Sequence, residues 1–512
     1  MTEQYLRSGD QYRTAAQAKE RSLRIAAILR ERGVRTGDRY AIVMRNELTF
    51  VEAAMAATSI GAIPVPVNWH WTGADLAHIL NDSESKVVFV HTDLLDAVEI
   101  NKPAAATIIE VEVPDFVART YRSEKPALSG RYEVLESLIA ATDPVPDTVV
   151  TPSLGLLYTS GTTGFSKGVV RERVEDPEAL ARGIAQAYRM DDPSWTTLVT
   201  APLYHASPLY QATFATALGM NVVVMPKFDA VEFLRSVAEE PIQHAQVVPT
   251  MLRRLLSLDQ DVQDSYDVSA LRSVLHSAAA ISVEQKKAAI EWFGPVFHEF
   301  YGGTETGPVV ACTSEEWLRH PGTVGRRFAD GDYRILRADG TRAEIGEPGQ
   351  IYLRSMGPWP DFTYHRDPEK RRSVEVDGYI TIGDVGYEDA DGYLYLTDRA
   401  IDMVNSGGVN LYPKEVENVI LGLDDVVDVA VIGIPHEDLG EHLAAHVELR
   451  PGSALTEADI AAHVRANLAK YKVPSVVVLD ADLPREETGK IFKRRLRERY
   501  WPAAAETSTS AS

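Results

Sequence analysis

Between Leu156 and Val169 an apolar run leads into Thr159-Ser160-Gly161-Thr162-Thr163-Gly164, then Lys167, then apolar residues again. Glycines let a backbone curl until its N–H groups face one point, and hydroxyls add donors around that point. With a lysine behind it, such a loop suits the holding of a phosphate chain. It is not a Walker A loop, which needs G-x-x-x-x-G-K followed at once by Ser or Thr. Here Gly168 follows Lys167. Taken alone, Lys490 reads as part of a solvated basic face with Lys493, Arg494, Arg495 and Arg497. His205, ending the run Ala201-Pro202-Leu203-Tyr204, by itself reads as a core histidine. Cys312, the one cysteine, has no His/Asn constellation and reads as a small buried hydrophobe.

The elements that must position these residues alternate. Helical periodicity over Arg13–Arg32 is followed by a strand at Tyr40–Met44, a helix at Val51–Ile60 and a strand at Ala62–Val67. Helix Ala74–Leu80 and strand Val87–Val90 repeat that order. Alternation of this kind predicts α/β layers around a largely parallel sheet. Thr197–Thr200, Asn221–Met225 and Ala245–Val248 are apolar runs suited to strands covered on both faces. Past about Gly325, strands Tyr333–Leu336, Gln350–Arg354 and Gly378–Thr381 alternate with Asp-Gly turns at 339–340, 377–378 and 391–392, predicting an antiparallel β subdomain. A small α+β unit follows, with strands Val429–Ile434, His446–Leu449 and Ser475–Leu479 and helix Glu457–Ala469. The expected fold class is therefore α/β: a large N-terminal domain of layered α/β subdomains plus an antiparallel β subdomain, and a small mobile α+β C-terminal domain. Expected boundaries are 1–401, 402–501 and a disordered tail at 502–512.

A chain of 512 residues has room for about three domains at roughly 150 residues each, or two with one unusually large. The net charge of -22 repels phosphate backbones and anionic lipid, so nucleic acid and membrane surfaces are excluded as default partners. One cysteine cannot form an intrachain disulfide, and the N-terminus lacks a basic segment followed by an apolar run; both fit a cytoplasmic location. Uncharged stretches 53–74 and 193–226 are broken by prolines, asparagines and histidines, so no integral membrane span is expected.

Thr159–Gly168 closely resembles the phosphate-binding signature of adenylate-forming enzymes, the superfamily of acyl- and aryl-CoA synthetases, adenylation domains and firefly luciferase. Ser166 departs from it, standing where the family usually has proline. Further resemblances follow in the family's order: His276-Ser277-Ala278-Ala279-Ala280, Tyr301-Gly302-Gly303-Thr304-Glu305, Ile382-Gly383-Asp384, Asp398–Asp402, Ser406-Gly407-Gly408 through Pro413, and Pro484–Lys490. They span nearly the whole chain, about Arg13 to Arg499.

The resemblance implies two half-reactions in one site: transfer of AMP from ATP to a carboxylate, then attack by a thiol. It implies that Thr159, Ser160, Gly161, Thr162, Thr163, Gly164 and Lys167 cradle the β- and γ-phosphates. Ser277, Ala278 and Ala279 would pack against adenine, with Tyr301 stacking on it beside Gly302 and Gly303. Thr304 would donate to the α-phosphate, Asp384 would accept from the ribose hydroxyls, and Arg399 would add a ribose or phosphate contact. Glu305 would bind Mg2+, with Thr159 nearby; a carboxylate is the hard donor this ion takes. Lys490 would bridge the acid and the α-phosphate. Asp402 would be the hinge about which the small domain turns, bringing Gly407 and Gly408 toward the thiol of coenzyme A. Ile401 departs from the lysine or polar residue usual there.

For the acid pocket the resemblance implies His205, His276, Val248, Gly302 and Pro308. The contributing segments are mostly apolar and lack an aspartate to pair an amino group, which disfavours an α-amino acid. The expected activity is therefore an AMP-forming ligase joining a hydrophobic fatty, aryl or alicyclic acid to coenzyme A, using ATP and Mg2+, with a homodimer as an open assembly. The alternative is a stand-alone adenylation enzyme loading a carrier protein's phosphopantetheine thiol. A non-catalytic nucleotide-binding relative would be expected to have lost Lys490 or Glu305, and both are present.

Overall fold

The computed structural model describes residues 3–501 apart from 151–152, 160–165, 280, 400–401, 407–408, 437 and 486–490. A nine-stranded sheet forms the centre of the large lobe. Its strands Phe297–Gly303, Ser273–His276, Ile242–Val247, Thr196–Val199, Asn221–Val224 and Tyr5–Ser8 run parallel, with antiparallel strands at either edge. Parallel strands must be covered on both faces. One face packs with helices Ala15–Glu31, Leu48–Ile60, Pro177–Tyr188 and Ala206–Leu218. The other packs with Ala230–Glu239, Pro249–Leu256 and Val283–Phe293.

A second, all-parallel sheet holds Ile63–Pro66, Arg39–Val43, Val87–His91, Thr107–Val111 and Glu133–Val134. The expected helix–strand alternation is present here, its bounds shifted by a few residues. Helix Ala15–Glu31 starts where Thr14 and Gln17 form a capping box, two residues later than the apolar periodicity began. The antiparallel subdomain has six strands. Asp377 and Gly378 both take positive φ (51° and 77°) between strands Glu375–Val376 and Tyr379–Ile380, the two-residue turn that matches strand twist.

The C-terminal unit is built on the hairpin Val426–His436 and Gly440–Leu449, with Val476–Leu479 added in parallel. Helices Pro413–Leu421 and Glu457–Asn467 cover one face, while Leu483 and Leu496 pack the other. Among the described residues no helix is long and apolar enough to cross a membrane. The 502–512 tail lies outside the described residues.

Candidate active site

Strands Leu157–Thr159 and Lys167–Arg171 pair antiparallel, with Thr159 opposite Lys167. Ser160, Gly161, Thr162, Thr163 and Gly164 lie outside the described residues. The same strand pairs on its other edge with Phe362–Tyr364, placing Tyr364 opposite Val169 and Phe362 opposite Arg171. This three-stranded sheet joins segments nearly 200 residues apart, and it assembles much of the site.

From this sheet, the Lys167 ammonium reaches Asp367 Oδ2 at 3.1 Å and lies 5.7 Å from the Tyr364 ring centre. Asp367 also caps helix Pro368–Ser373, accepting from the Lys370 N–H; that bond and Lys167 hold its carboxyl below the usual range. The Tyr364 hydroxyl donates to Glu305 Oε1 at 3.1 Å, and burial with the neighbouring carboxylate pushes the phenol's pKa up. Glu305 is partly exposed, so one oxygen is oriented by Tyr364 while the carboxylate stays within reach of a cation. An added Cβ on Gly303 would come within 3.0 Å of Glu305 Oε2; glycine there leaves the carboxylate its room. A hard anionic oxygen separated from a lysine by one tyrosine suits Mg2+ with a polyphosphate.

The turn carrying Thr304 and Glu305 is tight. Thr306 Oγ1 accepts from the Gly303 N–H at 2.9 Å, and a Cβ at Gly302 would lie 1.9 Å from the Gly307 carbonyl oxygen. Gly302 therefore has a steric reason to be glycine that is separate from any ligand. Pro308 sits opposite Gly302, fully buried. Beneath the turn lies Arg171. Its guanidinium donates to the carbonyls of Thr304, Glu305 (2.6 Å) and Pro360 (3.1 Å), and lies 5.1 Å from the Trp359 ring and 5.8 Å from that of Phe362. Burial depresses its pKa, and Tyr210, Glu305 and Asp361 offset part of that effect.

Tyr301 and Asp384 meet directly: the tyrosine hydroxyl donates to Asp384 Oδ2 at 2.8 Å. Asp384 opens strand Asp384–Glu388 after Gly383 (φ 89°), and lies opposite Arg399 in the sheet register. Ser277 is buried, whereas Ala278 and Ala279 are exposed, and Ala278 takes a left-handed φ of 73°. An alanine held there is strained by roughly 1 kcal/mol or more, a feature that gathers at ligand sites.

His205 caps helix Ala206–Leu218 and is partly exposed, its ring tilted against Tyr204 at 4.6 Å between centres. The loop before it is tied down by Asn46, which donates to the carbonyls of Ala201 and Met225 and accepts from the Leu203 N–H at 2.8 Å. Two expected pocket residues lie elsewhere. His276 is completely buried on the other face of the nine-stranded sheet, 3.4 Å from Glu299, which pairs with the buried Lys286 of helix Val283–Phe293. Burial and the Lys286 charge hold its pKa well below the ordinary value, so it stays neutral. Val248 likewise packs into that face's core with Met251 and Ala201. For His276 strand alternation is the reason, since Leu275 packs with the cluster on the face of helix Ala206–Leu218. Val248 lies past the end of strand Ile242–Val247, where Gln246 bonds to Ser207, and turns into that core at the start of helix Pro249–Leu256. Ser207 in turn donates to the Tyr188 hydroxyl at 3.0 Å, making a polar chain where an apolar wall was expected.

Asn46, Arg171, Tyr364, Asp367 and Gln246 were not foreseen. The one local signal was a charged Arg171 at the far end of strand Lys167–Arg171, after Gly168-Val169-Val170. Cys312 is buried, and burial pushes its thiol up to about 12, which disqualifies it as a nucleophile. Asp402, the expected hinge, pairs with Arg497 at 2.6 Å. Lys490, Gly407 and Gly408 lie outside the described residues.

A family model described as "AMP-binding enzyme" matches residues 3–359, and one described as "AMP-binding enzyme C-terminal domain" matches 415–490. A long-chain-fatty-acid–CoA ligase of Mycobacterium tuberculosis is 31% identical over 509 residues, covering 96% of this chain and 94% of its own. A fatty acid–[acyl-carrier-protein] ligase of Streptomyces coeruleorubidus is 31% identical over 504 residues, covering 96% and 92%. ATP-bound MatB from Rhodopseudomonas palustris, 27% identical, superposes with a TM-score of 0.83 over 97% of this chain and 96% of its own. The apo form of the same protein gives 0.71 over 97% and 95%. At equal identity this chain superposes more closely on the ATP-bound form than on the apo form.

Proposed function

The chain belongs to the AMP-binding enzyme family and is an AMP-forming acid–thiol ligase; from that premise we propose that it joins a hydrophobic carboxylic acid to coenzyme A. A carboxylate oxygen attacks the α-phosphorus of ATP, the bond to pyrophosphate breaks, and an acyl-adenylate forms. The thiol of coenzyme A then loses its proton, its sulfur bonds to the acyl carbon, and AMP departs.

The observation that carries this reading is that Tyr364 stands between Lys167 and Glu305, while Tyr301, paired with Asp384, lies on the strand that leads into the Glu305 turn. Lys167 faces the triphosphate, and Asp384 takes the ribose. Glu305, oriented by Tyr364, would hold Mg2+, which when bound would supply charge neutralisation on the phosphates. Thr304 donates to the α-phosphate at the turn that Arg171 supports. His205 borders the acid at the mouth of helix Ala206–Leu218. We assign residues 402–501 as a mobile cap turning about Asp402, with Lys490 delivered for adenylation and Gly407–Gly408 for the thiol step.

The similarity to a carrier-protein ligase supports a second reading, in which the acceptor thiol is a phosphopantetheine arm. A panel of fatty, aryl and alicyclic acids, read by AMP release with and without coenzyme A, tests both. Acid-dependent AMP release stimulated by coenzyme A is the expected result. Stimulation by a phosphopantetheinylated carrier alone would replace the first reading with the second, and no acid-dependent AMP with either would overturn both.

A further inference from the structure

One carboxylate joins the two lobes. Arg253, on helix Pro249–Leu256 of the large lobe, donates to the Val427 carbonyl at 2.6 Å and to Asp428 Oδ2 at 2.8 Å, with Asp428 Oδ1 2.7 Å away. The same Asp428 oxygen accepts from Arg485 at 2.6 Å, and Arg485 also pairs with Glu448. The Arg253 and Asp428 side chains are only 17% and 9% exposed, so water screens this contact far less than a surface pair.

Arg485 stands at a particular place. It faces Ile491 in an antiparallel bridge, and the Phe492 N–H donates to the Pro484 carbonyl at 2.8 Å. Residues 484–485 and 491–492 thus close the base of the segment that ends in Lys490. On the far side, Lys493 is anchored by Glu417 at 2.8 Å. Arg254 crowds the same region, its pKa depressed by burial and by the positive charges of Arg485 and Arg253. Asp428 therefore separates like charges as well as bridging lobes.

We propose that Arg253 and Asp428 are positioning residues for adenylation: they dock the C-terminal unit so that Arg485 sets the base of the Lys490 segment against the large lobe. The contact belongs to one arrangement of the lobes, the one nearer the ATP-bound relative, and is broken when the cap turns for the thiol step. The inference rests on the reading of Lys490 given above.

The test compares half-reactions. Truncating one partner of a buried charge pair costs enough that Arg253→Gln should slow acid-dependent ATP–pyrophosphate exchange about 30-fold. Thioester formation from pre-made acyl-adenylate and coenzyme A should stay within about threefold, which also reports that the variant is folded. Asp428→Asn should cost more than Arg253→Gln, because it leaves the arginines facing one another, and the double variant should be no worse than Asp428→Asn alone. A dye pair on introduced surface cysteines gives a structural readout, since Cys312 is the one native thiol and is buried. Arg253→Gln should broaden the inter-lobe distance that ATP narrows in the wild type. Equal loss in both half-reactions, additive losses in the double variant, or an unchanged distance distribution would overturn the inference. Lys490→Ala separates the two readings: exchange surviving in that variant refutes the lysine's role, whereas exchange lost there but intact in Arg253→Gln refutes the docking role.

Discussion

Replacing Arg171 with leucine probes the support beneath the turn that carries Thr304 and Glu305, the residues proposed to meet the α-phosphate and Mg2+. Leucine keeps the apolar packing against Trp359 and Phe362 and removes the donors to Thr304, Glu305 and Pro360. A hydrogen bond from a charged donor contributes about 1.5–3 kcal/mol, and each buried carbonyl left without a partner costs on the order of 1–3 kcal/mol. Against this, the substitution relieves the desolvation that depresses the arginine's pKa. The net expectation is a loss of about 2–4 kcal/mol, part in global stability and part in the placement of the turn. If Glu305 and Thr304 drift by even about 1 Å, the adenylation rate should fall roughly 100-fold. Pyrophosphate exchange measured across a Mg2+ titration is the assay. The variant should need more Mg2+ for half-maximal rate while its KM for the acid stays close to wild type. Arg171→Lys should recover little, because an ammonium cannot span acceptors arranged for a planar fork. An Arg171→Leu enzyme with wild-type Mg2+ dependence and exchange within about threefold of wild type would refute the reasoning.

Lys490→Ala should abolish acid-dependent pyrophosphate exchange, a loss of roughly 3–4 kcal/mol of transition-state stabilisation, checked by isotope exchange. Asp402→Pro should retain exchange and lose thioester formation, because a hinge must change φ and proline cannot; equal loss of both would contradict it. Stability should decline in mild acid. Burial holds His244 at about 4, and burial followed by Arg189 holds His298 at about 4, both below the unfolded value of 6.5. Folded-state pKa values that are depressed mean stability is full above pH 6.5 and is lost as pH falls toward 4. For fully buried His244 the loss is about 3 kcal/mol, read as a falling unfolding midpoint that His244→Gln should flatten.

His244 also shows how much a local pattern leaves open. Its Nε2 lies 2.8 Å from the Tyr188 carbonyl, which can only accept, so Nδ1 accepts from Thr197, which in turn accepts from Gln211. These partners lie on one neighbouring strand and two helices. No spacing within Ile242–Val247 encodes them. Similarly, His276 and Leu275 are adjacent in the chain yet pack on opposite faces of one sheet, and only the second shares the cluster of helix Ala206–Leu218.

What the amino-acid order determined alone was local: the glycine-hydroxyl motif, the Asp-Gly turns, the strand–helix alternation, and the family to which these motifs belong. Short-range backbone geometry governs such features, so a few consecutive residues suffice to specify them. Tertiary structure decided which side chains face the cleft, how Arg171 and Tyr364 reach the Thr304–Glu305 turn, and how Asp428 ties the lobes together. Those contacts depend on strand register and helix placement across separations of 59 to 175 residues. Burial of the whole core selects that register, because a one-residue slip would turn every apolar side chain to the wrong face.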